Sequence, residues 1–155
     1  KQIPESPLHF AYDFGVQAAL VAGDPETGKV RVLKLIAAHD VGAALIMRNV
    51  IGQLEGAAIQ GIGYALKEEF VVKDGIPQTT HLKDLGLLRF KDIPEIVPIV
   101  VEDYHPKGPF GAKGMGELAI SPTAPAIANA IHDSLGVWMN SLPMTTEKIA
   151  AALHK

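Results

Sequence analysis

Asn49-Val-Ile-Gly-Gln-Leu-Glu-Gly-Ala-Ala-Ile-Gln-Gly-Ile-Gly-Tyr-Ala-Leu66 is the stretch on which the fold turns. Ile51, Leu54, Ala58, Ile62, Ala65 and Leu66 recur at helical spacing, which predicts one long helix from about Val50 to about Phe70, capped by Asn49. Gly52, Gly56, Gly61 and Gly63 lie inside it. Each costs on the order of 1 kcal/mol against alanine, so the helix must gain from having no side chain there. Close approach of another backbone or of a ligand is the expected gain. Gln53, Glu55, Gln60 and the Lys67-Glu68-Glu69 end argue against a membrane dimer face.

Working outward, Val16 to Ala22 and Val30 to Ala38 read as strands, joined by the turn residues Asp24-Pro25-Glu26-Thr27-Gly28-Lys29. Residues 1–9 read as an extended lead-in with Pro4 and Pro7. Beyond the helix come a short hairpin at Asp74-Gly75 and a β-branched strand from Ile96 to Val101, whose Pro98 places it at an edge. Ser121 and Pro122 read as cap and first residue of a second helix that Gly136 ends near Leu135. A short strand near Val137 to Asn140 and a last helix from Thr146 to Leu153, capped by Thr145, complete the reading. Hairpins and helices segregate rather than alternate, so the predicted class is α+β, in one domain or one lobe spanning 1–155. The opening at Lys1-Gln2-Ile3-Pro4 points to a segment of a longer polypeptide.

The chain has 155 residues, 48% of them hydrophobic, a net charge of −3 and no cysteine. A core is affordable, whereas a disulfide, a thiolate ligand and a cysteine nucleophile are excluded. There is no basic stripe for nucleic acid and no apolar run of membrane-spanning length. The composition is compatible with a reducing cytoplasm. The six histidines, His9, His39, His81, His105, His132 and His154, lack metal-ligand spacing. His39-Asp40 reads as a structural pair, because neighbours on a strand point to opposite faces. Ser121 precedes a proline with no nucleophile elbow around it. Trp138 reads as core and Arg89 as a surface residue.

The chemistry concentrates in Gly108-Pro-Phe-Gly-Ala-Lys-Gly-Met-Gly-Glu117. It is not a P-loop, since Ala112 precedes and Gly114 follows Lys113, and its glycines are in the wrong order for a dinucleotide fingerprint. A glycine loop that brings main-chain N–H groups and one carboxylate to a helix start suits an anionic cofactor with a base beside it. Taken alone, Glu117 has two readings: an acid favouring the helix dipole, or a general base. Gln53 likewise is either a solvated helix residue or a donor to an oxo or phosphate group.

Several segments in order resemble the C-terminal part of the molybdenum-binding large subunit of the xanthine dehydrogenase/aldehyde oxidoreductase family, the molybdenum hydroxylases. They are His39-Asp40-Val41-Gly42, Gly52-Gln53-Leu54-Glu55-Gly56 with Gln60 to Leu66, Asp92 to Ile96, Gly111 to Glu117, Ala124 to Ile131, and Leu142 to Ile149. The resemblance runs from Leu8 onward and is most specific at Lys113-Gly114-Met115-Gly116-Glu117. It implies a molybdenum–pterin cofactor, as molybdopterin or its cytosine dinucleotide form, whose metal is not held by protein side chains. It implies Glu117 as the general base of a hydroxylase that acts on an aldehyde or N-heterocycle with water as oxygen source. Lys113, Gly114, Met115 and Gly116 would line the cofactor through main-chain groups, and Gln53 would contact it from the helix. Implied partners are the rest of the molybdenum subunit and iron–sulfur and possible FAD units on other domains or chains. Two departures stand out: Ala43 to Met47 replace a stretch that usually has a basic residue and Asn-Pro, and Trp138 stands where a basic residue is common. Without the remaining lobes, the isolated chain is expected to be inactive. The rival is a non-catalytic module that keeps the fold for assembly or binding. A self-sufficient small enzyme using Glu117 lacks a second catalytic group.

Overall fold

A computed structural model describes residues 11–155; the lead-in and His9 lie outside the described residues. β1 (Gly15–Gly23) and β2 (Val30–Asp40) form an antiparallel hairpin. Its turn is organised by Asp24, whose carboxylate accepts from the Glu26 amide at 2.9 Å and the Thr27 hydroxyl at 2.7 Å. The register shifts between Leu20, opposite Lys34, and Val21, opposite Val32. Leu33 is the extra residue of this bulge, which keeps Val32 and Leu35 both on the buried side.

α1 (Met47–Leu66) follows. It starts earlier than Asn49 would have it, because the Asn49 and Val50 amides already bond the Ile46 carbonyl at 2.9 and 3.1 Å. Asn49 is therefore inside the first turn and is not the cap. The helix also stops short of Phe70: the Gly63 carbonyl accepts from both Lys67 and Glu68, and Lys67 leaves helical geometry. β3 (Val72–Lys73) and β4 (Ile76–Pro77) make the small hairpin, with Asp74 and Gly75 both at positive φ, 51° and 79°, the pattern of a primed turn.

β5 (Glu95–Val101) pairs with β2 in parallel, Ile36 opposite Val97 and Ala38 opposite Ile99. The sheet order is β1-β2-β5, so Pro98 is indeed on an edge strand. α2 (Thr123–Leu135) is preceded by a 3-10 turn at Leu118–Ile120. Pro122, not Ser121, stands at the cap position, because Ser121 already has helical φ/ψ as the end of that turn. Gly136 closes α2 in the left-handed conformation, φ 74°, with its amide on the His132 carbonyl at 2.8 Å. No strand forms over 137–140. Trp138 is 59% exposed and stacks on His132 with ring centroids 3.9 Å apart, so it is not a core residue. α3 (Thr146–Leu153) has Thr145 as its cap, the hydroxyl accepting from the Lys148 amide.

The class is α+β: a three-stranded mixed sheet with helices on one face. Val32 and Leu35 from β2, Ala58, Ile62 and Ala65 from α1, Ile127 and Ile131 from α2, and Met144 and Ile149 near the C-terminus make the core. Gly61 explains how close the two long helices come, since a Cβ there would lie 2.5 Å from Thr123 Cβ. The other face of the sheet is open and apolar, with Val16, Leu20, Ile36, Ile99 and Val101 exposed. No helix among the described residues is long and apolar enough to cross a membrane.

Candidate functional site

The glycine loop is held at successive points by different elements, and Glu117 lies between them. Upstream, the Lys113 ammonium forms an ion pair with Asp40 at the end of β2 and donates to the Tyr12 carbonyl at 2.9 Å. Both partners are nearly buried, with side-chain exposures of 5% and 8%. Burial pushes the Asp40 carboxyl up, but the Lys113 ammonium and the Gly42 amide outweigh it and hold its pKa below the usual value. The hydrogen bond to Asp40 raises the lysine correspondingly. The Lys113 amide donates to the Val41 carbonyl at 2.9 Å, within an antiparallel bridge between Gly42 and Ala112. Both the side chain and the main-chain donor of Lys113 are thus engaged inside the protein. Gly42, at φ 64°, has to be glycine here because the bridge brings the Gly111–Lys113 backbone directly against its Cα.

In the middle, Gln53 Nε2 donates to the Gly116 carbonyl at 2.7 Å. Helix and loop are sealed by a small apolar cluster of Leu54, Ala57 and Ala119, with Val50, Val100, Met115 and Leu118 packed against it. Met115 and Leu118 therefore point into protein on either side of Glu117. Glu117 itself is exposed. It lines a cavity of about 310 Å³ with Gln53, Gly56, Ala57, Gln60, Gly116 and Ile120. A second cavity, of about 460 Å³, opens on the other side of Gln53 and Gly116, walled by Ala112, Lys113 and Met115. A larger one, of about 600 Å³, lies between the start of β2 and the Lys91–Glu95 segment and includes neither Gln53 nor Glu117.

The structure thus brings Gln53, Met115, Gly116 and Glu117 together and places Lys113 behind them as an anchor. Gly114 is exposed at the loop's surface. A Cβ at Gly52, Gly56, Gly114 or Gly116 would meet nothing within 4 Å, and none of these residues has positive φ. Nothing among the described residues requires glycine at these places. They leave a side-chain-free cradle along α1 and the loop, open to a large group that must approach the backbone closely. The donor set, a neutral amide and main-chain groups, fits the oxygen- and nitrogen-rich rim of a pterin. Among the described residues no cluster of three or more His, Asp or Glu side chains is placed to hold a metal ion.

Sequence reasoning missed the downstream anchor. Gln17 of β1 donates through Nε2 to the Ala119 carbonyl at 2.6 Å and accepts from the Thr123 hydroxyl at 2.7 Å. Its only signal is one amide amid the apolar residues Val16, Ala18, Ala19 and Leu20. His39, opposite Gly15 on the next strand, is 1% exposed and meets Gln17 Nε2 at 3.1 Å through its own Nε2. Burial holds its pKa below the ordinary 6.5. His39 and Asp40 do point opposite ways, into the Gln17 network and toward Lys113.

Residues 2–94 match the molybdopterin cofactor-binding domain family. The chain is 37% identical over 148 residues to a probable hypoxanthine oxidase of Escherichia coli (strain K12), which covers 94% of this chain and 16% of that protein. The fold matches quinoline 2-oxidoreductase from Pseudomonas putida 86 with a TM-score of 0.85 and 34% identity, over 91% of this chain and 18% of that one. It matches aldehyde oxidoreductase from Desulfovibrio gigas with a TM-score of 0.83 and 35% identity, over 92% and 16%. The chain therefore spans roughly a sixth of the length of these relatives. It belongs to the molybdopterin cofactor-binding domain family found in the molybdenum-binding subunits of xanthine dehydrogenase and aldehyde oxidoreductase type, and corresponds to one part of such a subunit.

Proposed function

We propose that this chain is a lobe of a molybdenum hydroxylase, that it contributes the glutamate base, Glu117, and part of the cofactor cradle, and that residues 1–155 act as one such lobe. The observation that carries this reading is the position of Glu117: exposed, on a loop tied by Gln53, at the rim of a glycine-lined cavity. The cofactor, when bound, would supply the redox chemistry and the site of oxygen transfer from water. This chain's residues do the rest. Gln53 fixes the Gly116 peptide and so sets the height of the loop above α1. Gly56 and Gly116 would let the cofactor reach the backbone, and Gly114 and Met115 would offer main-chain groups beside it. Glu117 would act as general base, taking up at its carboxylate the proton released in the reaction. The lining amide of Gln60 is a further polar contact on the same helix face.

Relatives named for hypoxanthine, quinoline and aldehyde support an aldehyde or an electron-poor N-heterocycle as substrate. The exposed apolar sheet face fits the remainder of the molybdenum subunit, with iron–sulfur and possible FAD units completing the electron path on other domains or chains. In the complete enzyme, Glu117→Gln is expected to lower turnover by roughly 10²- to 10⁴-fold, the usual worth of a general base, with bound molybdenum unchanged. Unchanged turnover would instead favour a module kept for assembly.

A further inference from the structure

Glu117 is followed at once by the 3-10 turn Leu118–Ile120, closed by the Ile120 amide on the Glu117 carbonyl at 3.2 Å. Whatever fixes that turn fixes the direction in which the carboxylate leaves the backbone. The Ala119 carbonyl is buried, Ala119 being 2% exposed. Its short bond, 2.6 Å, comes from a residue more than a hundred positions away, Gln17 on the edge strand.

We infer that Gln17 is a positioning residue for Glu117, its side-chain amide bridging β1 to the turn that carries the carboxylate. The inference rests on the reading of Glu117 as the base. The amide's orientation follows from its neighbours. The Ala119 carbonyl can only accept, so Nε2 faces it. Oε1 then faces Thr123, whose hydroxyl donates at 2.7 Å and lies 3.3 Å from the same Ala119 carbonyl. The second Nε2 proton goes to His39 Nε2 at 3.1 Å, which sets that ring as an acceptor there and leaves the proton on Nδ1. Among the described residues the buried Nδ1 has no partner, so the ring accepts this tautomer at a cost. Both Gln17 protons and its carbonyl are used, and Thr123 is fully buried, wedged against Gly61. Gln17 is thus locked in one rotamer by β2, α2 and the turn. Gln53 holds the Gly116 carbonyl just before Glu117, and Gln17 holds the Ala119 carbonyl inside the turn just after it, so the backbone is anchored on both sides while the exposed Glu117 side chain stays free to work. A helix-packing role alone would not require an amide aimed at this one carbonyl.

The test uses the assembled, molybdenum-loaded enzyme. Gln17→Met keeps length and apolar packing and removes the bridge. It is expected to lower kcat about tenfold or more, as misplaced catalytic groups do, with KM and molybdenum content as in the wild type. Amide deuterium uptake over residues 117–121 should rise while the rest of the chain is unchanged. Thr123→Ser, which keeps the hydroxyl, should retain kcat; Thr123→Val, which keeps the shape, should lose it. Wild-type kcat and exchange in Gln17→Met, with Glu117→Gln inactive, would remove the positioning role and leave the base standing. An active Glu117→Gln would remove both. If Gln17→Met loses molybdenum, the Thr123 pair decides, and equal kcat for Ser and Val overturns the inference.

Discussion

The side-chain amide of Gln53 reaches the main-chain carbonyl of Gly116 at 2.7 Å, tying the long helix to the loop one residue before Glu117. Gln53 is exposed, so this bond is worth only about 1 kcal/mol to the fold. Its value is positional. Gln53→Leu is expected to change the melting temperature of the chain little and to lower molybdenum retention in the complete enzyme, measured as metal per protein after gel filtration.

The glycines of α1 separate by what surrounds them. Gly61→Ala forces a Cβ against Thr123 and is expected to destabilise by about 1–3 kcal/mol, an overpacking cost that exceeds the helical gain. Gly52→Ala and Gly56→Ala meet nothing and should each stabilise the chain by up to about 1 kcal/mol. Gly56→Ala should nonetheless weaken cofactor binding in the enzyme, because Gly56 lines the Glu117 cavity. Denaturant midpoints and metal content measured on the same variants check both arms.

The Asp40–Lys113 pair is buried and couples β2 to the loop. Removing one partner strands the other's charge, whereas removing both does not. Lys113→Met should therefore be more destabilising than the double variant Asp40→Leu/Lys113→Met. Thermal unfolding of the two proteins at pH 7 tests the order, and equal melting temperatures would show that the pair is not coupled.

Acid should unfold the chain in stages. His39 is buried with its pKa below 6.5, so the unfolded chain takes up that proton first, and stability falls as pH drops below about 6.5. Asp40, with its pKa held low, contributes stability above the unfolded carboxyl value, near pH 4, which is lost as pH falls through its folded value. Asp13, raised by burial, works in the opposite direction at the carboxyl end. His39→Gln should flatten the first stage and leave the second, read from urea midpoints between pH 7 and pH 3.

Much of the architecture was legible because its signals are local. Thr145 before α3, Gly136 after α2, Asp74-Gly75 and the edge Pro98 each act through their own backbone, and each appears where its chemistry places it. The misreadings arose where a neighbour overrode a local preference. Asn49 could cap, but Ile46 starts the helix first; Ser121 could cap, but the turn from Leu118 had already made it helical. The resemblance put Gln53 and Gly116 beside a shared cofactor, but the bond between them had no signal in the sequence. Gln17 showed only as a lone amide in an apolar strand, and its partners Ala119 and Thr123 were not legible, since a strand residue's partner across the fold leaves no periodic trace in sequence.

The parallel pairing of β2 with β5 has a consequence for how the chain is made. The β1–β2 hairpin can form as soon as it leaves the ribosome, whereas β5 arrives only after α1 and the long segment behind it. At ordinary rates of synthesis that interval lasts seconds. Throughout it the far edge of β2 presents unpaired N–H and C=O groups beside apolar side chains, the condition under which strands join strangers. The β2 edge is therefore open to mispairing until β5 is made, and slowing synthesis between Asp40 and Glu95 should lower the soluble yield more than slowing it after Val101.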